Sequence, residues 1–130
     1  MTNISELEAA ISKELELYSK EITQSIKESV DIVAKEVNKE IKRNVTFKER
    51  RGKYIKSFKI KKTYENPNKK VKTWYVGNGE HRLSHLLENG HALKNGGRAR
   101  AYPHIKYGQE LAEKRMEELV EKGINNANRR

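Results

Sequence analysis

At 130 residues the chain is long enough for one hydrophobic core, but only 35% of it is hydrophobic and 35% is charged, so the core is thin and either partial disorder or burial between subunits is expected. It has no cysteine, which excludes disulfides, thiolate metal sites and thiol nucleophiles; no basic segment followed by an apolar run opens it, and no apolar run approaches the roughly 18 residues that span a bilayer, so a cytoplasmic origin is expected. The net charge of +10 is uneven: residues 1–41 carry five basic and nine acidic side chains, giving −4, residues 42–75 carry thirteen basic against Glu49 and Glu65, giving +11, residues 76–108 add +3, and residues 109–130 balance.

From Ile4 the apolar positions run Leu7, Ile11, Leu15, Tyr18, Ile22, Ile26, Val30, Val33, Val37 and Ile41, in steps of three or four. That spacing predicts one long helix, with Ser5 or Asn3 as its N-cap and no Gly or Pro to break it before Gly52. Some 40 residues at about 1.5 Å each reach roughly 60 Å, more than one small domain can cover, so either part of the stripe buries against another chain or the helix breaks and folds back, the unbroken form being the one the sequence favours. After Gly52 the period changes to two, with Tyr54, Phe58, Ile60 and Tyr64 interleaved with lysines, which predicts a strand. Glu65-Asn66-Pro67-Asn68 is turn chemistry, and Val71 to Val76 supply a second strand to complete a hairpin. His81 to Asn89 reads as a short helix with Leu83, Leu86 and Leu87 on one face and Gly90 as its stop. His91 to Ala101 reads as a mobile loop. Pro103 then opens a final helix whose apolar positions are Ile105, Leu111, Ala112, Met116, Leu119, Val120 and Ile124. The fold class is therefore α+β in a single domain over 1–130: a long helical arm over 1–45, an α+β body over 52–124 and a frayed tail over 125–130.

Few residues suggest chemistry. His81, His85 and Glu88 have helical spacing that could hold zinc, but the Glu of an H-E-x-x-H motif is missing and ordinary polar packing is the better account. Asn95-Gly96-Gly97-Arg98 could approach a phosphate, yet lacks the Lys and Ser/Thr of a P-loop. No Ser, His and Asp arrangement stands out, Asp31 being the one aspartate and lying in the long helix. The basic hairpin with Tyr54, Phe58, Tyr64, Trp74 and Tyr75 could stack bases and track a nucleic-acid backbone, but alternation puts most of those aromatics on the core side. The N-terminal stripe is too acidic to lie on anionic lipid.

Residues 81–92, reading His-Arg-Leu-Ser-His-Leu-Leu-Glu-Asn-Gly-His-Ala, followed by Gly96-Gly97-Arg98 and then Pro103-His104-Ile105, carry a more specific signal. This block resembles the signature of the HK97-like phage tail-component family, and the Gly52-Lys53-Tyr54 to Ser57-Phe58 approach and the Trp74-Tyr75 strand look like it too. One departure is that Lys106-Tyr107-Gly108 stands where family members often place a proline. The resemblance covers roughly residues 45–124, and the first helix only by position and character.

The resemblance implies a structural protein of tailed-phage particles, without catalytic activity or cofactor, acting at the neck or tail end as a head–tail joining or tail-completion subunit. It implies a ring of copies, hexameric as in tail tubes, joined to other neck or tail proteins, in the virion after assembly in the host bacterial cytoplasm. The implied assembly or scaffold residues are Arg82, Leu83, His85, Leu86, Leu87, Glu88, Gly90, Gly96, Gly97, Arg98, Pro103, His104 and Ile105. Among these, Leu83, Leu86 and Leu87 are expected to lock the short helix to the sheet, and the loop 91–101 and the long helix to make the contacts. The alternative is a nucleic-acid-binding protein using the basic 42–75 region, or a neck protein whose basic surface meets passing DNA.

Overall fold

One uninterrupted helix, α1 (Ile4–Arg43), is the longest element of the computed structural model, which describes residues 4–47 and 52–129. Its 40 residues reach about 60 Å, as a sequence without Gly or Pro predicts; Ser5, offered as N-cap, lies inside it, and Asn3 lies outside the described residues. Asn44 ends it: the Asn44 backbone N–H and side-chain amide both donate to the Glu40 carbonyl, at 3.2 and 2.8 Å, while Lys42 and Arg43 in the last turn oppose the negative end of the helix dipole. Lys48, Glu49, Arg50 and Arg51, which belong to the basic stretch, lie outside the described residues.

The short helix α2 (Lys53–Lys56) follows, then the antiparallel hairpin β1 (Phe58–Asn66) and β2 (Lys69–Val76), helix α3 (His81–Asn89), a second small hairpin β3 (His91–Ala92) and β4 (Arg98–Ala99), and helix α4 (Ile105–Asn128). Three expectations are corrected here. Tyr54 sits on α2, not on a strand, and is buried; β1 begins only at Phe58. Tyr64 is on β1 but half-exposed, because the register slips between Lys62 and Tyr64 and an irregularity of one residue reverses the faces beyond it. The stretch 91–101 is not an open loop: His91 pairs with Ala99 and Ala92 with Arg98, and the Leu93 N–H donates to the Gly97 carbonyl at 2.7 Å.

Helix α4 lies antiparallel on α1. Gly108 stands against Ile41 and Val37, Arg115 forks onto Glu36 at 2.8 and 3.2 Å, Gly123 stands against Ser25, and the Tyr18 hydroxyl donates to Asn128 at 2.7 Å. The end of α4 is thus held rather than frayed, with Ala127 buried and the helix continuing to Asn128. The β1–β2 hairpin lies along the same half of α1: Lys70 and Lys72 both reach Asp31 at 2.7 Å, the Trp74 indole N–H donates to Asn38 at 3.0 Å, and Lys27 bonds Glu65 and the Asn66 carbonyl at 3.2 and 2.6 Å. The core gathers at the C-terminal end of α1, where Ile41, Tyr54, Phe58 and Val76 are buried with Val37, Val45, Phe47, Trp74, Leu87 and Ile105 packed around them.

Candidate functional site

The residues of the 81–105 block converge where α3 meets the start of α4. The first backbone N–H groups of a helix have no partner within it, and here no local side chain caps them. Glu88, on α3, supplies the cap from 16 residues upstream in sequence: Oε1 accepts the N–H groups of His104 and Ile105 at 3.0 and 2.9 Å, and Oε2 that of Lys106 at 3.1 Å. Burial pushes the Glu88 carboxyl up, but the three N–H donors together outweigh it and hold the group below the usual carboxylate range. The positive end of the α4 dipole acts in the same sense.

His104 is fully buried beside this cap. Its Nδ1 lies 2.7 Å from the Tyr102 carbonyl, which can only accept, so Nδ1 carries a proton, and Nε2 is hydrogen-bonded to the Tyr54 hydroxyl at 2.7 Å. The ring sits among Phe47, Tyr54 and Phe58, with centroids 5.7, 5.4 and 6.4 Å away. His104 therefore joins α4 to α2 and β1 in one aromatic cluster whose polar atoms are satisfied.

Gly90 closes the junction. Its φ of 71° and ψ of 176° belong to a region that residues with a Cβ avoid, and a Cβ there would stand 2.6 Å from the Ala99 carbonyl oxygen. Beside it the Tyr102 N–H donates to the Leu87 carbonyl at 2.5 Å, so the end of α3, the β3–β4 hairpin and the approach to Pro103 are fastened together.

The structure brings Leu87, Glu88, Gly90, His104 and Ile105 into one buried or half-buried cluster. Pro103, half-buried, directly precedes the His104 N-cap and so lies outside α4, which starts at Ile105; the remaining residues are not brought there. Leu83 and Leu86 are 41% and 42% exposed, so Leu87 alone of the three leucines fastens α3 to the core, correcting the expectation for that face. Arg82 and His85 are exposed on α3, and Gly96, Gly97 and Arg98 are exposed on the small hairpin, where Gly96 at φ 89° makes the turn and Arg98 lies 3.5 Å from the Asn89 carbonyl. His81 and His85 face solvent while Glu88 is committed to α4, so these groups do not meet; among the described residues no group of His, Asp and Glu is placed to hold a metal ion.

The capping role of Glu88 is not visible in the sequence, because a cap is sought immediately before the helix it serves and this one comes from another helix through the tertiary fold. Asp31 was also missed as a partner. Its carboxyl is held below the usual range by hydrogen bonds from Lys70 and then Lys72, which also absorb part of the hairpin's positive charge. Of the hairpin aromatics, Phe58 and Trp74 pack together inward with centroids 4.9 Å apart, while Tyr75 pairs with Lys59 across the sheet and has the Lys61 ammonium 5.2 Å from its ring.

Residues 9–90 match the model of the family described as "Bacteriophage HK97-gp10, putative tail-component". No curated protein and no solved structure matches the chain.

Proposed function

The chain belongs to the bacteriophage HK97-gp10 tail-component family, a family of phage structural proteins, and from that premise we propose that it is a non-enzymatic head–tail joining or tail-completion subunit at the neck or tail end of the particle. It works by assembly: copies form a ring, hexameric as in tail tubes, that contacts neighbouring neck or tail proteins, put together in the host cytoplasm and retained in the virion. The observation that carries this reading, besides the family, is the division of the molecule into a fastened body and an arm. Residues 5–17 of α1 are exposed throughout, including Leu7, Ile11 and Leu15, which is apolar surface left for another protein to cover. The motif residues support it in two ways: Leu87, Glu88, Gly90, His104 and Ile105 keep the body rigid, while Arg82, Leu83, Leu86 and the β3–β4 hairpin remain at its surface.

The test is removal of the coding sequence from its phage or prophage, followed by electron microscopy and infectious-particle counts. Separate filled heads and tails, joined again when the chain is supplied in trans, are expected; an unimpaired yield of infectious particles would overturn the reading.

A second reading, contact with nucleic acid, is favoured by the outward side of β1–β2, where Lys59 and Lys61 stand with Tyr75. A shift of double-stranded DNA that vanishes with rising salt would support it, and no shift at physiological ionic strength would remove it.

A further inference from the structure

The exposed arm and the exposed part of the body have opposite character. Over residues 4–17, Glu6, Glu8, Glu14 and Glu16 against Lys13 give a charge of −3. On the helix Leu7, Ile11 and Leu15 form a stripe, 54%, 51% and 62% exposed, with Glu8 and Glu14 beside it. Over residues 81–100, Arg82, Lys94, Arg98 and Arg100 against Glu88 give +3, and the sole acid is turned inward as the α4 cap. Here Leu83, Leu86 and Leu93 are exposed, and Arg82 lies one turn from Leu86 on the same side of α3.

The two surfaces cannot meet within one molecule. Leu87 of α3 packs in the cluster around Ile41, at the far end of α1, and Ile11 is thirty residues back along an unbroken helix, about 45 Å away. Arm-on-arm pairing would bring like charges together along both sides of the stripe, which is unfavourable.

We propose that the arm of α1 docks on the α3 and β3–β4 surface of a second copy of this chain, with the Leu7, Ile11 and Leu15 stripe on Leu83 and Leu86 and the arm carboxylates on Arg82 and Lys94. This deepens the assembly reading above and rests on it. Because the donor and acceptor patches differ, the contact is heterologous: each copy offers one arm and one socket, so the array closes into a ring, of which reciprocal arm exchange between two copies is the smallest, or grows as a filament. The apolar stripe supplies burial, and the charges choose the partner and weaken with salt.

The test uses the full chain in sedimentation velocity. An arm variant, Glu8→Lys with Glu14→Lys, and a socket variant, Arg82→Glu with Lys94→Glu, alter exposed positions only, and circular dichroism checks that each keeps its fold. Each variant alone should lose self-association by at least about tenfold relative to the parent chain. The equimolar mixture should recover it, because each reversed arm then finds a reversed socket and each original arm an original socket. Should a charge reversal unfold the body, Arg82→Gln with Lys94→Gln reads the same loss. A parent chain that stays monomeric at low salt, a variant that associates as the parent does, or a mixture of folded variants that remains monomeric would each overturn this interface. Those results leave the structural role standing if the deletion phage still fails to join heads to tails; normal particles from the deletion phage would remove that role instead.

Discussion

At the scale of single residues, the junction of α3 and α4 depends on one carboxylate placed against three N–H donors. Replacing Glu88 by Gln keeps the shape and removes the charge, and the expected loss is about 1 to 2 kcal/mol of unfolding free energy near neutral pH, in line with the removal of a helix cap bearing charge. The sign of the pH dependence follows from the depressed carboxyl of the folded state. A group whose pKa falls on folding stabilises the protein above its unfolded value, about 4.3, and that contribution is lost as pH drops through the folded value. Denaturant titrations should therefore show a gap between the parent chain and E88Q that is full at pH 7 and closes in acid. A gap that persists unchanged into strong acid would mean that the charge is not what Glu88 contributes.

At the scale of elements, the α1–α4 pair shows how two glycines in one helix differ. At Gly108 an added Cβ would stand 2.5 and 2.7 Å from the Ile41 side chain, which is only 1% exposed and cannot retreat. Overpacking of this kind costs roughly 1 to 3 kcal/mol and exceeds the roughly 1 kcal/mol that alanine gains over glycine in a helix. Gly108→Ala should thus lower the thermal midpoint. At Gly123 the Cβ would meet the Ser25 hydroxyl, which can turn aside, and the Ser25 Cβ at 3.0 Å, which moves only with α1, so the crowding is milder than at Gly108 and Gly123→Ala should lower the midpoint less than Gly108→Ala does. Thermal melts of the two variants side by side check the contrast.

The hairpin belongs to this scale as well. Alternation placed Phe58 and Trp74 correctly on the inner side because a regular strand keeps its period of two, but it misplaced Tyr64, since the register slip after Lys62 leaves no mark in composition. Tyr54 was misplaced for a related reason: a four-residue helix is too short to show a period of its own, and its aromatic falls in phase with the strand that follows.

For the whole molecule, the arm is the part that stability does not need. Residues 5–17 are exposed throughout, so a chain trimmed to begin at Tyr18 should melt within a few degrees of the full chain, as expected where few buried contacts are lost. The same trimmed chain should fail to restore infectious particles in the deletion phage. A large drop in the melting temperature would show instead that the arm folds back on the body.

The continuous α1, the hairpin, the short α3 and the presence of α4 were legible in the sequence because each rests on a local period or on turn residues, and these need no knowledge of what lies across the chain. The family was legible too, from the block that opens at His81, of which the family match over residues 9–90 covers 81–90 together with most of α1 and the hairpin. Tertiary structure alone decided that α4 folds back on α1 and leaves the arm bare, that Asp31 takes two hairpin lysines, that Leu87 is covered while Leu83 and Leu86 are not, and that Glu88 caps a helix it does not belong to. The physical reason is the same in each case. Periodicity tells which side of an element is apolar, whereas burial and hydrogen bonding between distant segments depend on the distance at which whole elements pack, and that distance is set here by Gly108 against Ile41 and by the one opening that Gly90 allows between α3 and α4.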